Sequence, residues 1–190
     1  MKSYKIYAHA LLDKFNVKMF VSYPRPFERF AVKGNGLIGA EIGVFRGRHA
    51  FHILNNISIR NLYLIDPYES YEEFGSKGMY DELLDAKIEA GFALREFDNI
   101  SWIYKNSSDA VKLVPNNLDF VYIDGNHEYK FVKEDIKNYY PKLKIGGVLG
   151  GHDIGHISFP GVAKAVEEFS KKNSVEFKAV SDSDWLIEKN

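Results

Sequence analysis

Three observations predict an α/β fold built on a parallel sheet with helices on both faces. From Leu37 onward, short apolar runs alternate with segments of helical apolar spacing. The runs are rich in Val, Ile, Leu and Tyr and apolar at nearly every position, as strands buried on both faces require. A polar residue of unusual type stands where each of the first five runs ends. Ligands of such sheets bind outside the carboxyl ends of the strands.

In order, residues 37–44 predict the first strand and 47–56 a helix. Residues 61–66 (N-L-Y-L-I-D) predict the second strand and 80–97 a helix. Residues 100–104 form a third strand, followed by a short helix over 108–114 that Pro115 stops. Residues 118–124 (L-D-F-V-Y-I-D) are the fourth strand and 129–140 its helix. The fifth strand lies in 143–150, with a helix over 161–172. Two short strands, 175–180 and 185–188, complete the core. Ahead of it, residues 4–15 carry Ile6, Ala10, Leu11 and Phe15 at the spacing of an amphipathic helix. Residues 17–33 hold Pro24 and Pro26 among aromatics and read as an irregular cap.

The 190 residues suffice for a single domain, with 1–33 as the cap and 37–188 as the core. Apolar residues make up 45% and charged residues 27%, an ordinary globular composition. A formal net charge of -1 gives no overall pull toward nucleic acid or anionic membrane. The absence of cysteine excludes disulfides and thiolate chemistry and suits a cytoplasmic protein. No apolar run approaches the ~20 residues of a membrane span, and the first residues lack a signal-peptide core.

The most informative stretch is Glu41-Ile42-Gly43-Val44-Phe45-Arg46-Gly47, a glycine loop between strand and helix. It reads E-x-G-x-x-x-G, not the G-x-G-x-x-G of dinucleotide sites. An acid in first place suits a ligand with a cationic amine, such as the methionine end of S-adenosylmethionine. The remaining strand ends carry Asp66, then Asn106 and Ser107, then Asp124, then His152 and Asp153. Each alone can be a turn or capping residue; five at five carboxyl ends point to a ligand site. Asp124, His152 and Asp153 offer oxygen, nitrogen and oxygen ligands at neighbouring strand ends, where strands lie ~4.8 Å apart. Such a set suits a divalent cation, Mg²⁺ or Mn²⁺. His156 adds a third imidazole nearby and reads as a surface residue or a member of that local set. The segment 69–79, glycine-bearing and aromatic, reads as a lid over the ligand face.

The pairing of Asp124-Gly125-Asn126-His127-Glu128-Tyr129 with Gly146-Gly147 and His152-Asp153 resembles the class I S-adenosylmethionine-dependent methyltransferases, in particular the macrocin-type and catechol O-methyltransferases. The resemblance runs from about Leu37 to Trp185. It implies a three-layer, Rossmann-like fold with seven strands, mostly parallel, the last antiparallel. It implies a cofactor site of Glu41, Gly43, Gly47, Asp66, Pro67, Tyr68, Asn106, Ser107 and Asp124. Glu41 would take the methionine amine, Asp66 both ribose hydroxyls, Pro67 and Tyr68 the adenosine, and Asn106 and Ser107 the adenine. Asp124, His152 and Asp153 would hold the cation, with Asp124 and His127 catalytic. A histidine of intrinsic pKa near 6.5 is neutral at pH 7 and can act as a base. The expected reaction is O-methylation of a small-molecule hydroxyl. N-methylation, and a metal-dependent hydrolase or hydroxylase-like enzyme using the Asp/His cluster, stand as alternatives.

Overall fold

The computed structural model describes residues 23–27, 34–69, 78–180 and 183–190. Its centre is a seven-stranded sheet in the order β3-β2-β1-β4-β5-β7-β6. The strands are β1 Leu37–Ile42, β2 Ile59–Ile65, β3 Ile100–Ile103, β4 Leu118–Ile123, β5 Leu143–Gly151, β6 Phe177–Ala179 and β7 Trp185–Glu188. The first five run parallel, and β7 runs antiparallel between β5 and β6. Among the described residues the α-helices are α1 Arg48–Asn56, α2 Gly78–Leu94, α3 Ser107–Ala110, α4 Tyr129–Tyr139 and α5 Pro160–Asn173. This is the predicted three-layer fold.

Successive side chains of a strand face opposite ways, and β4 uses both directions. Phe120 and Tyr122 pack on one face with Ile53 of α1 and Leu62 and Leu64 of β2. Val121 and Ile123 pack on the other with Val132 and Ile136 of α4 and Val162 and Val166 of α5. From Phe120 to Ile123 neither face of β4 meets water, which is why that stretch lacks polar–apolar alternation.

The boundaries shift for local reasons. The first strand stops at Ile42 because Gly43 turns the chain at φ 85. The second begins two residues early, at Ile59, because Leu37 pairs with it. The helix expected over 108–114 is the single turn of α3, and residues 111–113 form turns. The β6 strand keeps only three of the six residues expected over 175–180.

Of the predicted cap, residues 23–27 are described, and they lie against the core rather than apart from it. Phe27 is fully buried, its ring centroid 5.0 Å from that of Tyr122. It fits because position 150 is glycine: a Cβ there would meet the Phe27 ring at 2.2 Å. The Phe27 amide donates to Asp184 Oδ2 at 2.9 Å. The helix expected over 4–15 and most of the proposed lid lie outside the described residues. Among the described residues, no helix is long and apolar enough to cross a membrane.

Candidate active site

A cavity of 650 Å³ opens at the carboxyl edge of the sheet. Glu41 and Asp66 line one end; Asp124, His127, His152 and Asp153 line the other. The two ends meet at Gly43. A Cβ at that position would lie 2.1 Å from the Asp124 carbonyl oxygen, so only glycine lets the loops after β1 and β4 approach so closely. The expected glycine is therefore required, but by protein backbone. Gly47 is constrained in the same way: it caps the start of α1 at φ 70, and a Cβ there would meet Ala90 of α2 at 3.1 Å.

Glu41 is buried and lies 3.0 Å from His49 Nδ1 through Oε1. Its Oε2 is buried and has no partner among the described residues. Burial raises its pKa, with His49 opposing the rise. Glu41 lines the cavity, and a buried carboxylate oxygen with no partner among the described residues is suited to a cationic donor.

Asp66 stands directly after β2. Its Oδ2 accepts the amides of Val44 at 3.0 Å and Phe45 at 2.8 Å, and its Oδ1 accepts that of Tyr68 at 2.8 Å. Burial raises its pKa, and these backbone bonds pull it back. The side chain thus fastens the glycine loop to the turn after β2. Tyr68 assists, its hydroxyl donating to the Phe45 carbonyl at 2.7 Å. Pro67, Tyr68, Asn106 and Ser107 lie outside the cavity lining. Tyr68 is buried against Ala86, Ala90 and Trp102. The Asn106 carbonyl accepts the amides of Asp109 and Ala110 in the α3 turn, and the Ser107 hydroxyl donates to Asp135 of α4.

At the other end, the Asp124 amide continues the ladder by donating to the Ile42 carbonyl at 2.8 Å. The His152 amide donates to that of Ile123 at 3.1 Å. These bonds bring the side chains together: ligand atoms of Asp124, His152 and Asp153 all lie within 4.8 Å of one another. His156 is exposed and outside this group, its ring stacked on Phe159 at 4.6 Å.

His127 Nε2 lies 2.9 Å from Asp153 Oδ2 and 3.9 Å from Asp124 Oδ1, with its ring stacked on Phe159 at 4.2 Å. Burial by itself would lower its pKa; the carboxylates of Asp124 and Asp153 outweigh that and push it up to about 9. The expectation of a neutral imidazole at pH 7 is corrected by these two neighbours. Asp153 is held below the usual carboxylate range: burial opposes this, but contacts from His127 and His152 prevail.

Arg25 is the residue that sequence reasoning missed. Its Nη2 donates to Asp124 Oδ2 at 3.0 Å, and its Nη1 lies 2.5 Å from His152 Nε2. An arginine can only donate, so His152 accepts through Nε2 and carries its proton on Nδ1. That nitrogen faces Asp153 Oδ2 at 3.1 Å. Nothing local marks Arg25: it sits between two prolines, 99 positions before Asp124. Asp184, which anchors Phe27, was equally invisible.

A family model described as a methyltransferase domain matches residues 40–154. An uncharacterized protein of Acanthamoeba polyphaga mimivirus, R132, is 28% identical over 114 residues, covering 57% of this chain and 48% of the viral protein. The chain thus spans about half the length of that curated relative. A Streptococcus mutans methyltransferase solved in complex with SAH superposes with a TM-score of 0.63 at 18% identity, covering 88% of this chain and 99% of that one. The O-methyltransferase NovP superposes at 0.54 with 17% identity, over 84% and 73% of the two chains.

Proposed function

We infer the function from one premise: the chain belongs to the methyltransferase-domain family, as a class I S-adenosylmethionine-dependent enzyme. We propose that its acceptor is a hydroxyl of a small molecule and that a divalent cation assists. The observation that carries this reading is the two-ended cavity, with a buried carboxylate at Glu41 whose Oε2 has no partner among the described residues and a group beyond Gly43 that could hold a cation. NovP is an O-methyltransferase of the same fold, though fold alone does not select an acceptor. The family match does not favour the hydrolase or hydroxylase-like reading.

In this proposal Glu41 Oε2 receives the cofactor's methionine amine. Asp66 has about four acceptor sites, and three are engaged by amides. It therefore has room for one direct ribose hydroxyl bond rather than two. Gly43 keeps the path past the loop open, and Gly47 with Pro67 and Tyr68 holds the shape of the loop. The adenine would extend beyond Asp66 toward Asn106 and Ser107.

Asp124, His152 and Asp153 would hold the cation; their two carboxylates and one imidazole fit a divalent ion. Bound there, it would lower the pKa of an acceptor hydroxyl. His127 is placed to take the acceptor proton. While Asp124 and Asp153 both face it, it keeps its own proton at pH 7. It becomes a base when that negative charge is turned to a cation.

The test is methyl transfer from S-adenosylmethionine across a panel of polyols, phenols, amino sugars and amines, with a structured RNA for contrast. Hydroxyl methylation that stops with EDTA and returns with Mg²⁺ or Mn²⁺ is expected. His127→Ala should lower kcat by about 10²–10⁴-fold with cofactor affinity nearly intact. Full turnover in EDTA would remove the cation, and methylation confined to amines would remove the O-methyl reading.

A further inference from the structure

The position between Asp124 and His152 already holds a cation, and it belongs to the chain. Arg25 reaches Asp124 Oδ2 with one guanidinium nitrogen and His152 Nε2 with the other. These are atoms of two of the three residues that would ligate a divalent ion. The overlap is chemical: the His152 nitrogen that faces Asp124 Oδ1 and Asp153 Oδ2, at 3.9 and 3.1 Å, is Nδ1, and Arg25 on Nε2 decides whether Nδ1 is free. A neutral imidazole has one free lone pair. In His152 that pair lies on Nε2 and is taken by Arg25, while Nδ1 carries a proton toward Asp153. His152 therefore has no lone pair to offer an ion while Arg25 is seated. Two cations sharing one carboxylate at contact distance also repel each other strongly.

The seat is not accidental. Two residues on, Phe27 is fully buried against the sheet, and its amide is bonded to Asp184. This anchor fixes where the Arg25 backbone lies. The side chain is 23% exposed and lines the cavity, so it has a way out. The Tyr23 ring, centred 6.0 Å from the guanidinium carbon, offers an aromatic face beside that way.

We propose that Arg25 is a built-in competitor for the cation position: its guanidinium and a divalent ion occupy the Asp124–His152 pair in turn. The proposal rests on the cation reading given above, and the test separates the two. Mn²⁺ binding is measured by calorimetry on the full chain, as wild type, Arg25→Gln, Arg25→Lys and Asp153→Asn. Removing the competitor should tighten Mn²⁺ binding by about tenfold or more, the scale of one charge-assisted hydrogen bond. Arg25→Lys keeps the charge but loses the fork that spans both partners, so it should gain only a few-fold. Asp153→Asn should bind Mn²⁺ more weakly than wild type. Equal or weaker binding by Arg25→Gln, with wild type binding Mn²⁺, overturns the competition and leaves the cation reading standing. Failure of both to bind Mn²⁺, while both bind S-adenosylhomocysteine, overturns the cation reading and the competition together. Should Arg25→Gln lose its cooperative melting transition, Arg25→Lys decides: any gain over wild type supports the competition, and no gain overturns it.

Discussion

The two ends of the cavity treat their acids differently. At the glycine-loop end, Asp66 is met by three backbone amides from its own turn and the neighbouring loop. At the other end, Asp124 and Asp153 are met by side chains, Arg25 and two histidines. Backbone amides cannot leave without unfolding the loop. Side chains can swing away, and a histidine can change protonation. The first end is built to keep a shape, and the second is built to exchange partners. A further carboxylate, Asp135 in α4, has neither arrangement: it is buried beneath Ser107 and is met by that hydroxyl.

The largest effect should come from the shape-keeping end. Asp66→Ala leaves three amides of the loop without their acceptor. It should cost about 2–4 kcal/mol in urea unfolding, with little dependence on pH between 6 and 9. Affinity for S-adenosylhomocysteine should fall with it. Weakened binding at unchanged stability would mean that Asp66 serves the ligand alone, and the contrast between the ends would collapse.

The exchanging end should instead depend on pH. His127 has a folded pKa near 9, raised from 6.5. Its contribution is therefore fully present below about 6.5 and is lost as pH rises through about 9. In EDTA, unfolding free energy should drop by roughly 2–3 kcal/mol across that window. His127→Gln should flatten the profile. Asp153 shifts the other way: its contribution is present above the ordinary carboxylate range and lost only in strong acid. An identical pH slope in His127→Gln would assign the change to another group.

The smallest effect belongs to Asp135. Burial pushes its pKa up to about 7, against the pull of the Ser107 hydroxyl and with a push from Glu134. A raised carboxyl pKa means stability is lost as pH climbs from about 4 to 7. Asp135→Asn keeps an acceptor for Ser107 and removes the buried charge. It should raise stability by about 1–2 kcal/mol at pH 8 and by almost nothing at pH 4. Thermal melts at the two pH values decide this. A loss at pH 8 would show the charge to be compensated, as at the cavity ends.

Much of this was legible before folding. The period of the apolar runs gave every strand of the described core, because a sheet covered on both faces leaves a continuous apolar signature at β1 and β4. The acids at strand ends pointed to the cavity, since a parallel sheet puts all its carboxyl ends on one edge. The roles were less legible than the places. Pro67 and Tyr68 follow Asp66 in sequence, yet neither lines the cavity, and Tyr68 braces the loop instead. His127 was expected neutral because a sequence supplies an intrinsic pKa and not a neighbour.

The sequence by itself determined the layers, the parallel run of the first five strands and the edge on which chemistry sits, because periodicity and chirality act within a few residues; the antiparallel last strand was implied by the resemblance alone. Tertiary structure alone decided which charges meet. Arg25 touches Asp124 and His152 only because Phe27 is buried over Gly150 and tied to Asp184. That contact spans 99 and 127 positions of chain. Electrostatic energy depends on distances of a few ångströms in space, and at such separations the order of residues along the chain carries no record of them.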